Sequence, residues 1–408
     1  MKHVKEQAQA IAETLVEDRR ALHKIPEIGF EIPKTAAYVK ERLTQLGIEH
    51  RDCGRLDEET MNHYVAAGFP RQEKATGIVA TIGHGKPCIL LRADMDALPM
   101  PETNDVEYRS THEGRMHSCG HDAHTAMLLG AAKILNEQEA SLKGTVKLMF
   151  QIGEEWGYGA RLMIDDGLLE NPTVDAAFAI HVEPDEDVGI VHYAKHVTSS
   201  SFDSYILNIQ GKGGHSSMPE KCIDPVLIAN QVTSALNILP GRETNPASLI
   251  SFTVGSVQGG TASNIIPDTA KMQFGMRTYD PEGRDHLKER IPEIVDHTVK
   301  MWRGDYELLS FNTPSTANDP ALVEELLPFI GEVVGEDHLV EFSGVPASED
   351  FGHVSEAVPG CYVMLGAGKK GAYPVHNPNM VLDESTLPLG AAIHANVAMK
   401  WLEAHKED

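Results

Sequence analysis

The sequence predicts an α/β protein of two domains, a mixed, mostly parallel sheet into which a ferredoxin-like α+β domain is inserted. Three observations carry this. Strand and helix periods alternate between residues 77 and 180, the rhythm of a sheet covered by helices. Between 204 and 311 the order becomes strand–helix–strand–strand–helix–strand, that of a split βαβ unit. The alternating rhythm then resumes and runs to the end of the chain.

The elements follow in order. Val4, Ala8, Ile11, Leu15 and Leu22 recur near a 3.6-residue period, and Pro26 closes the helix. A second amphipathic helix spans 35–46 and stops at Gly47. Residues 51–75 are charged and irregular and predict no element, only a surface insertion. Strands at 77–82 and 88–93 flank the turn Gly83-His84-Gly85-Lys86. A helix at 122–136, a strand at 146–152, a helix at 160–166 and a strand at 174–180 complete the first part. The insert reads as strand 204–210, helix 225–239, strands 249–257 and 269–279, helix 281–302 and strand 306–311. Helix 321–334, strand 361–365 and helix 387–404 close the chain.

Composition removes several function classes. With 408 residues, of which 41% are hydrophobic and 23% charged, the chain can bury a substantial core. Sixty acidic against 35 basic residues leave a net charge of −25, a field that repels nucleic acids and anionic membranes. Five scattered cysteines, Cys53, Cys88, Cys119, Cys222 and Cys361, do not form a disulfide framework and suit a reduced compartment. The start, Met1-Lys2-His3-Val4-Lys5-Glu6-Gln7, has no apolar leader core, and no apolar run approaches a membrane span. A soluble cytoplasmic protein is expected.

Polar clusters stand just past predicted strands. Asp94 and Asp96 follow 89–93, Glu154-Glu155 follows 146–152, His181 follows 174–180, and His376 lies in the loop after 361–366. In open parallel sheets the carboxyl ends of the strands border one crevice, so these groups are expected to meet. The densest cluster, His117-Ser118-Cys119-Gly120-His121-Asp122-Ala123-His124, precedes an apolar helix, whose aligned dipoles favour a thiolate at Cys119. Imidazole, thiolate and carboxylate together favour zinc, manganese, cobalt or nickel over calcium or magnesium. No second Cys or His pair stands at zinc-finger distance. A nucleophilic Cys119 with His121 as base is the competing reading, but it leaves the groups at the other strand ends without a task. In a metal crevice, adjacent glutamates divide the labour: one binds the ion and the other takes a proton from water. Gly83-His84-Gly85 and Gly211-Lys212-Gly213-Gly214 do not form a dinucleotide fingerprint.

These motifs carry a resemblance. His23-Lys24-Ile25-Pro26-Glu27, Arg92-Ala93-Asp94-Met95-Asp96-Ala97-Leu98-Pro99, the 117–124 cluster, Glu154-Glu155 and Ile180-His181-Val182 begin the series. Gly213-Gly214-His215, Asn264-Ile265-Ile266-Pro267, Ser348-Glu349-Asp350-Phe351 and His376-Asn377-Pro378 continue it over almost the whole chain. In this set and order the sequence resembles the metal-dependent amidohydrolases of the aminoacylase and glutamate-carboxypeptidase superfamily. It is most similar to the branch of N-acyl-amino-acid deacetylases, hippurate, auxin-conjugate and aminobenzoyl-glutamate hydrolases.

The resemblance implies a di-metal catalytic domain of residues 1–197 and 314–408 and an inserted lid of 198–313 that forms a homodimer. It implies two divalent ions per subunit, manganese or zinc, with cobalt or nickel as substitutes. Cys119, His121, Glu155, His181 and His376 are then metal ligands and Glu154 the general base. Asp94 and Asp96 hold ligands or water in place. Asn264 and Arg277 bind the substrate's α-carboxylate, for which a guanidinium fork is suited. His215 reaches the partner's site and stabilises the oxyanion. His23, Pro26 and Glu27 read as structural. The implied reaction is hydrolysis of the amide bond of an N-acyl or N-aroyl amino acid, such as an N-acetyl amino acid, hippurate or aminobenzoyl-glutamate. A dipeptidase or carboxypeptidase, or a non-catalytic binding homologue, are the alternatives. Two departures stand out: Ile152-Gly153 replaces the family's Pro-Ala before the glutamate pair, and the 55–74 insertion is longer than in most auxin-conjugate hydrolases.

Overall fold

The computed structural model describes residues 4–406. Met1 to His3, on which the leader argument partly rests, and residues 407–408 lie outside that range. An eight-stranded mixed sheet runs in the order Glu49–Asp52, Ile78–Gly83, Thr145–Gln151, Cys88–Asp94, Ala176–Asp187, Gly360–Gly368, Val191–Tyr193, Leu339–Glu341. Its four central strands, Thr145–Gln151 to Gly360–Gly368, are mutually parallel, while Ile78–Gly83 and Val191–Tyr193 pair antiparallel to them.

Alternation within these strands feeds two cores. Ile89, Leu91 and Ala93 face one apolar cluster together with the helices His121–Asn136 and Leu387–Ala404. Cys88 and Leu90 face another, with Met149, Met163 and Phe351. All seven residues of Cys88–Asp94 are buried, as expected of a strand covered on both faces.

The second sheet has the order Ile250–Gly259, Thr269–Thr278, Phe202–Gln210, Asp305–Thr313, antiparallel throughout. With the helices Pro225–Ile238 and Pro281–Met301 on one face, this is a ferredoxin-like arrangement. Tyr205, Leu207, Ile209, Met272 and Phe274 meet Ile228, Val232, Leu287 and Ile291 in a core of its own. The alternate residues, among them Ser204, Thr253, Gln273 and Gly275, turn towards a cleft between the two sheets.

Three expectations need correction. The first helix is interrupted at Ile11, whose φ of −108° and ψ of 11° leave the helical region, giving Val4–Ala10 and Ala12–His23. The strand expected at 174–180 continues to Asp187, so His181 lies within it, opposite Met364 of Gly360–Gly368. The polar composition of 183–187 disguises a strand that is held by pairing with its neighbour.

Residues 51–75 are not a bare surface insertion. Glu49–Asp52 pairs with Ile78–Gly83, and Glu58–Ala67 is a helix capped by Asp57, whose carboxylate accepts from the Thr60 N–H at 2.8 Å. Gly68 ends the helix with a φ of 103°. Only Met61 and Tyr64 of its ten residues are buried, too few to register as an amphipathic period. Tyr64 packs 5.2 Å from Phe30, 5.2 Å from Phe69 and 5.1 Å from Phe311, between ring centroids.

Candidate metal centre and active-site cleft

Local backbone geometry aims the polar clusters at one place. Asp94 ends the strand Cys88–Asp94, and Asp96 stands two residues beyond it. Gly120 starts the helix His121–Asn136 with a φ of 90°, and a Cβ there would stand 2.4 Å from Val182 Cγ2. Cys119 and His121 are thereby set at the mouth of the sheet. After Thr145–Gln151, Gly153 adopts a φ of 59° against Phe30, where a Cβ would lie 2.4 Å from the ring. The turn it permits presents Glu154 and Glu155, so the replacement of the family's alanine by Gly153 has a local reason.

Five sequence-predicted residues converge. Cys119 Sγ lies 3.4 Å from His181 Nε2, and His376 Nε2 lies 3.3 Å from a Glu155 oxygen. Donor atoms of Cys119, His121 and His181 lie within 4.8 Å of one another, as do those of Cys119, Glu155 and His376, so Cys119 belongs to both sets. Glu154 reaches within 4.0 Å of His121 Nε2. Asp96 accepts the backbone N–H of Glu154 at 3.0 Å and of Glu155 at 3.2 Å, which fixes where the pair points.

Tautomers separate the three histidines of the 117–124 cluster. His121 Nδ1–H donates to the Asp96 carbonyl at 2.9 Å and His181 Nδ1–H to the Val182 carbonyl at 2.7 Å, leaving Nε2 of each as a lone-pair donor. His124 is spent at both ends. Its Nδ1–H donates to Asp94 at 2.6 Å and its Nε2 accepts the Val182 N–H at 2.9 Å. His117 lies away from the donor set, 6.2 Å from the His23 ring, and burial holds its pKa down at about 3.

Burial first, and then Glu155 and Glu154, push the Cys119 thiol well above its usual range. Burial thus opposes the thiolate that the helix dipole favours at Cys119, and a bound cation would restore it. Burial opposes charge on His121, but Asp94 and Asp96 outweigh it and raise the imidazole to about 10. Burial also lifts the Glu154 carboxyl well above the carboxylate range, reinforced by Glu349, Glu155 and Asp350. The site is a buried, carboxylate-rich cage whose nearest permanent positive charge is Arg92, beside Asp94 and Glu349.

The residues present therefore fit a divalent cation. His121 Nε2 and Glu155 Oε1 are buried and make no hydrogen bond, facing Asp94 at 3.5 Å and His376 at 3.3 Å respectively, an arrangement that costs free energy unless a cation takes up the lone pairs.

Sequence reading missed the support beneath this cage. Arg92, fully buried, lies 2.8 Å from Asp94, donates to Gln151 at 2.8 Å and to Glu349 at 2.7 Å, and approaches Asp350 at 3.4 Å. The Tyr362 hydroxyl donates to Glu349 at 2.9 Å, and Gln151 to Asp350 at 2.5 Å. A charged residue in a strand buried on both faces was the available signal. His23 is structural, its ring held 2.8 Å from Asp122 and 3.2 Å from Glu102; Glu27 accepts the Lys34 and Thr35 N–H groups at the start of the helix Pro33–Gln45.

The cage opens into a cleft of about 920 Å³, lined on the other side by the second sheet. Arg277 lines it, its guanidinium 4.1 Å from the Phe202 ring centroid. His215 and Asn264 do not line it. They sit together on the exposed pair Gly214–His215 and Ile265–Ile266, where the Asn264 carbonyl accepts the Ser216 N–H at 3.2 Å. No helix of the described residues is long and apolar enough to cross a membrane.

A mixed sheet with a carboxylate, imidazole and thiolate cage at its strand ends, facing a ferredoxin-like unit, defines a metallohydrolase scaffold. Residues 90–400 match peptidase family M20/M25/M40, and the chain belongs to that family of metal-dependent amidohydrolases. It is 35% identical over 393 residues to the IAA-amino acid hydrolase ILR1-like 4 of Arabidopsis thaliana, covering 94% of this chain and 84% of that one. To the N-acetyl-L-cysteine deacetylase of Bacillus subtilis it is 33% identical, covering 96% and 89%. The solved structure of the Bacillus subtilis YXEP protein, described as a dinuclear metal binding peptidase, superposes with a TM-score of 0.74 at 30% identity, covering 97% and 99%.

Proposed function

We propose that the protein hydrolyses the amide bond of N-acyl or N-aroyl amino acids, using Glu154 as general base beside two divalent ions, manganese or zinc, with cobalt or nickel able to substitute. The observation that carries this reading is the division within one turn: Asp96 holds both backbone N–H groups, Glu155 faces His376, and Glu154 faces His121 from the cleft side. Cys119, His121, Glu155, His181 and His376 would hold the ions. When bound, such ions polarise the amide carbonyl and lower the pKa of a water molecule. Glu154 takes the proton from the attacking water and delivers it to the leaving nitrogen. Asp94 and Asp96 keep the imidazoles and glutamates aimed. Arg277 receives the substrate carboxylate in its own subunit's cleft, and Asn264, which lies outside that cleft beside His215, would reach a carboxylate only in a partner's. The relatives named above act on amino-acid conjugates and acetylated cysteine, which supports an acyl-amino-acid substrate.

A panel of N-acetyl, N-benzoyl and dipeptide substrates, assayed with manganese, zinc, cobalt or nickel, tests the reaction. Faster turnover of dipeptides than of acyl amino acids would move the assignment to a dipeptidase. Cys119→Ala is expected to bind less metal after equilibration with manganese or zinc, measured by elemental analysis. An unchanged metal content would remove the thiolate from the ligand set.

The segment 198–313 acts in this reading as a lid and dimerisation domain between 1–197 and 314–408, in a cytoplasmic homodimer. Its strand Ile250–Gly259 is an open sheet edge, and Ile238 and Leu249 nearby are 63% and 74% exposed, a surface that pairing would cover. His215, absent from its own subunit's cleft, would then stabilise the oxyanion in the partner's. Mixing inactive His215→Ala and Glu154→Gln proteins under subunit exchange should restore about a quarter of wild-type activity, because one site in each mixed dimer keeps both groups. Mixed dimers that form and stay inactive would show that His215 does not serve its neighbour.

A further inference from the structure

We propose that residues 55–74 are a specificity element, the wall of the cleft that receives the substrate's acyl group, and that this wall selects flat aromatic acyl groups over small ones. The inference rests on the amidohydrolase reading above and extends it to the substrate's acyl half.

Ala67 and Phe69 of this segment line the same cleft as Glu154 and Glu155. Phe69 stands 5.0 Å from Trp156 at an interplanar angle of 64°, and 6.2 Å from Phe311. All three rings are partly exposed, so their packing leaves aromatic surface turned to the cleft. Trp156 is the residue after Glu155, which places the start of this wall directly beside the carboxylate pair.

The segment is tied on both sides of the cleft. The Tyr64 hydroxyl donates to the Trp156 carbonyl at 3.0 Å, and His63 Nε2–H donates to the Ser310 carbonyl of the second sheet at 2.8 Å. An unanchored surface insertion would need neither bond, and a preorganised wall needs both.

Sheet register gives the direction of the bound substrate. Phe311 and Gly275 both stand opposite Ser204, one on either side of Phe202–Gln210. Gly275 is two strand spacings, roughly 10 Å, from Phe311, and Arg277 lies two residues, roughly 7 Å, farther along that strand, so its backbone stands roughly 12 Å from that of Phe311. A carboxylate on Arg277 therefore points the other end of the molecule towards Phe311, Trp156 and Phe69. Edge and face contacts with three rings suit a benzoyl-type group, whereas an acetyl group leaves that surface uncovered.

The test compares kcat/KM for N-benzoyl and N-acetyl forms of one amino acid in the metal-loaded wild type, Phe69→Ala and Ala67→Trp. Phe69→Ala removes wall surface and Ala67→Trp fills the space in front of it. Each is expected to lower the benzoyl-to-acetyl ratio about tenfold. If both variants fold and the ratio stays within twofold of wild type, the inference is overturned while the amidohydrolase reading stands. If the wild type hydrolyses neither substrate, the reading fails instead, and calorimetric titration with benzoate and acetate decides the wall separately. Benzoate binding that is lost in Phe69→Ala upholds it; binding that is equal in wild type and both variants overturns it.

Discussion

Glu154→Gln is expected to lower kcat for N-acyl amino acids by about a thousandfold or more, the upper part of what a positioned proton-transfer group contributes. The amide has the shape of the carboxylate but cannot accept a proton, so the change isolates that task. The backbone N–H of residue 154 still donates to Asp96, and Glu155 is untouched, so the cage survives. Bound metal should therefore equal that of the wild type by elemental analysis, and KM should move far less than kcat. A kcat within tenfold of wild type would assign the proton transfer to another group. Loss of metal together with activity would mean that Glu154 holds the cage rather than serving as its base.

The second large effect is on stability. Arg92→Met is expected to destabilise the protein by about 3–5 kcal/mol, because it strands buried carboxylates without their cation. Asp94, Glu349 and Asp350 all lie within 3.4 Å of the guanidinium, and its own exposure is 0%. Burial alone would raise the Asp94 carboxyl, but Arg92, His121 and His124 outweigh it and hold it well below the usual range. A carboxylate depressed in this way adds stability above its unfolded pKa and loses it as pH falls towards the folded one. Without Arg92 the sign reverses, since a buried carboxyl then prefers its proton. The gap between wild type and variant should therefore be narrow well below an ordinary carboxylate pKa of about 4, open as pH rises through it, and keep widening above it until the variant's buried carboxyl also ionises. Urea unfolding of the apo-proteins at several pH values measures this. A loss under 1 kcal/mol at pH 7 would show that the carboxylates are neutralised by other means.

The same residue marks what could and could not be read without coordinates. Arg92 sits in a run of apolar residues, and its charge is visible in the sequence, but its partners are 257 and 258 residues away at Glu349 and Asp350. Local pattern carries no information about contacts of that separation. Tautomers are hidden for the same reason: His117, His121 and His124 look equivalent within eight residues. Only the carbonyl of Asp96 and the N–H of Val182 distinguish the ring that is left open from the one that is closed.

What the sequence determined by itself was the order of the long elements, since periodicity is a local property of which side chains can face a core. The helix Leu387–Ala404 and the split βαβ order of the insert were legible on that ground. So were the strand-end positions of Asp94 and Glu154, because a strand's end and the residues just after it are adjacent in the chain. The tertiary structure decided the rest. It extended a strand through His181 by pairing with Gly360–Gly368, and it turned 55–74 from an unreadable charged stretch into a helix anchored by Met61 and Tyr64. It also placed His215 and Asn264 apart from the cleft that holds Arg277. In each case the deciding free energy comes from burial and hydrogen bonding between residues far apart in the chain, which no local window of sequence contains.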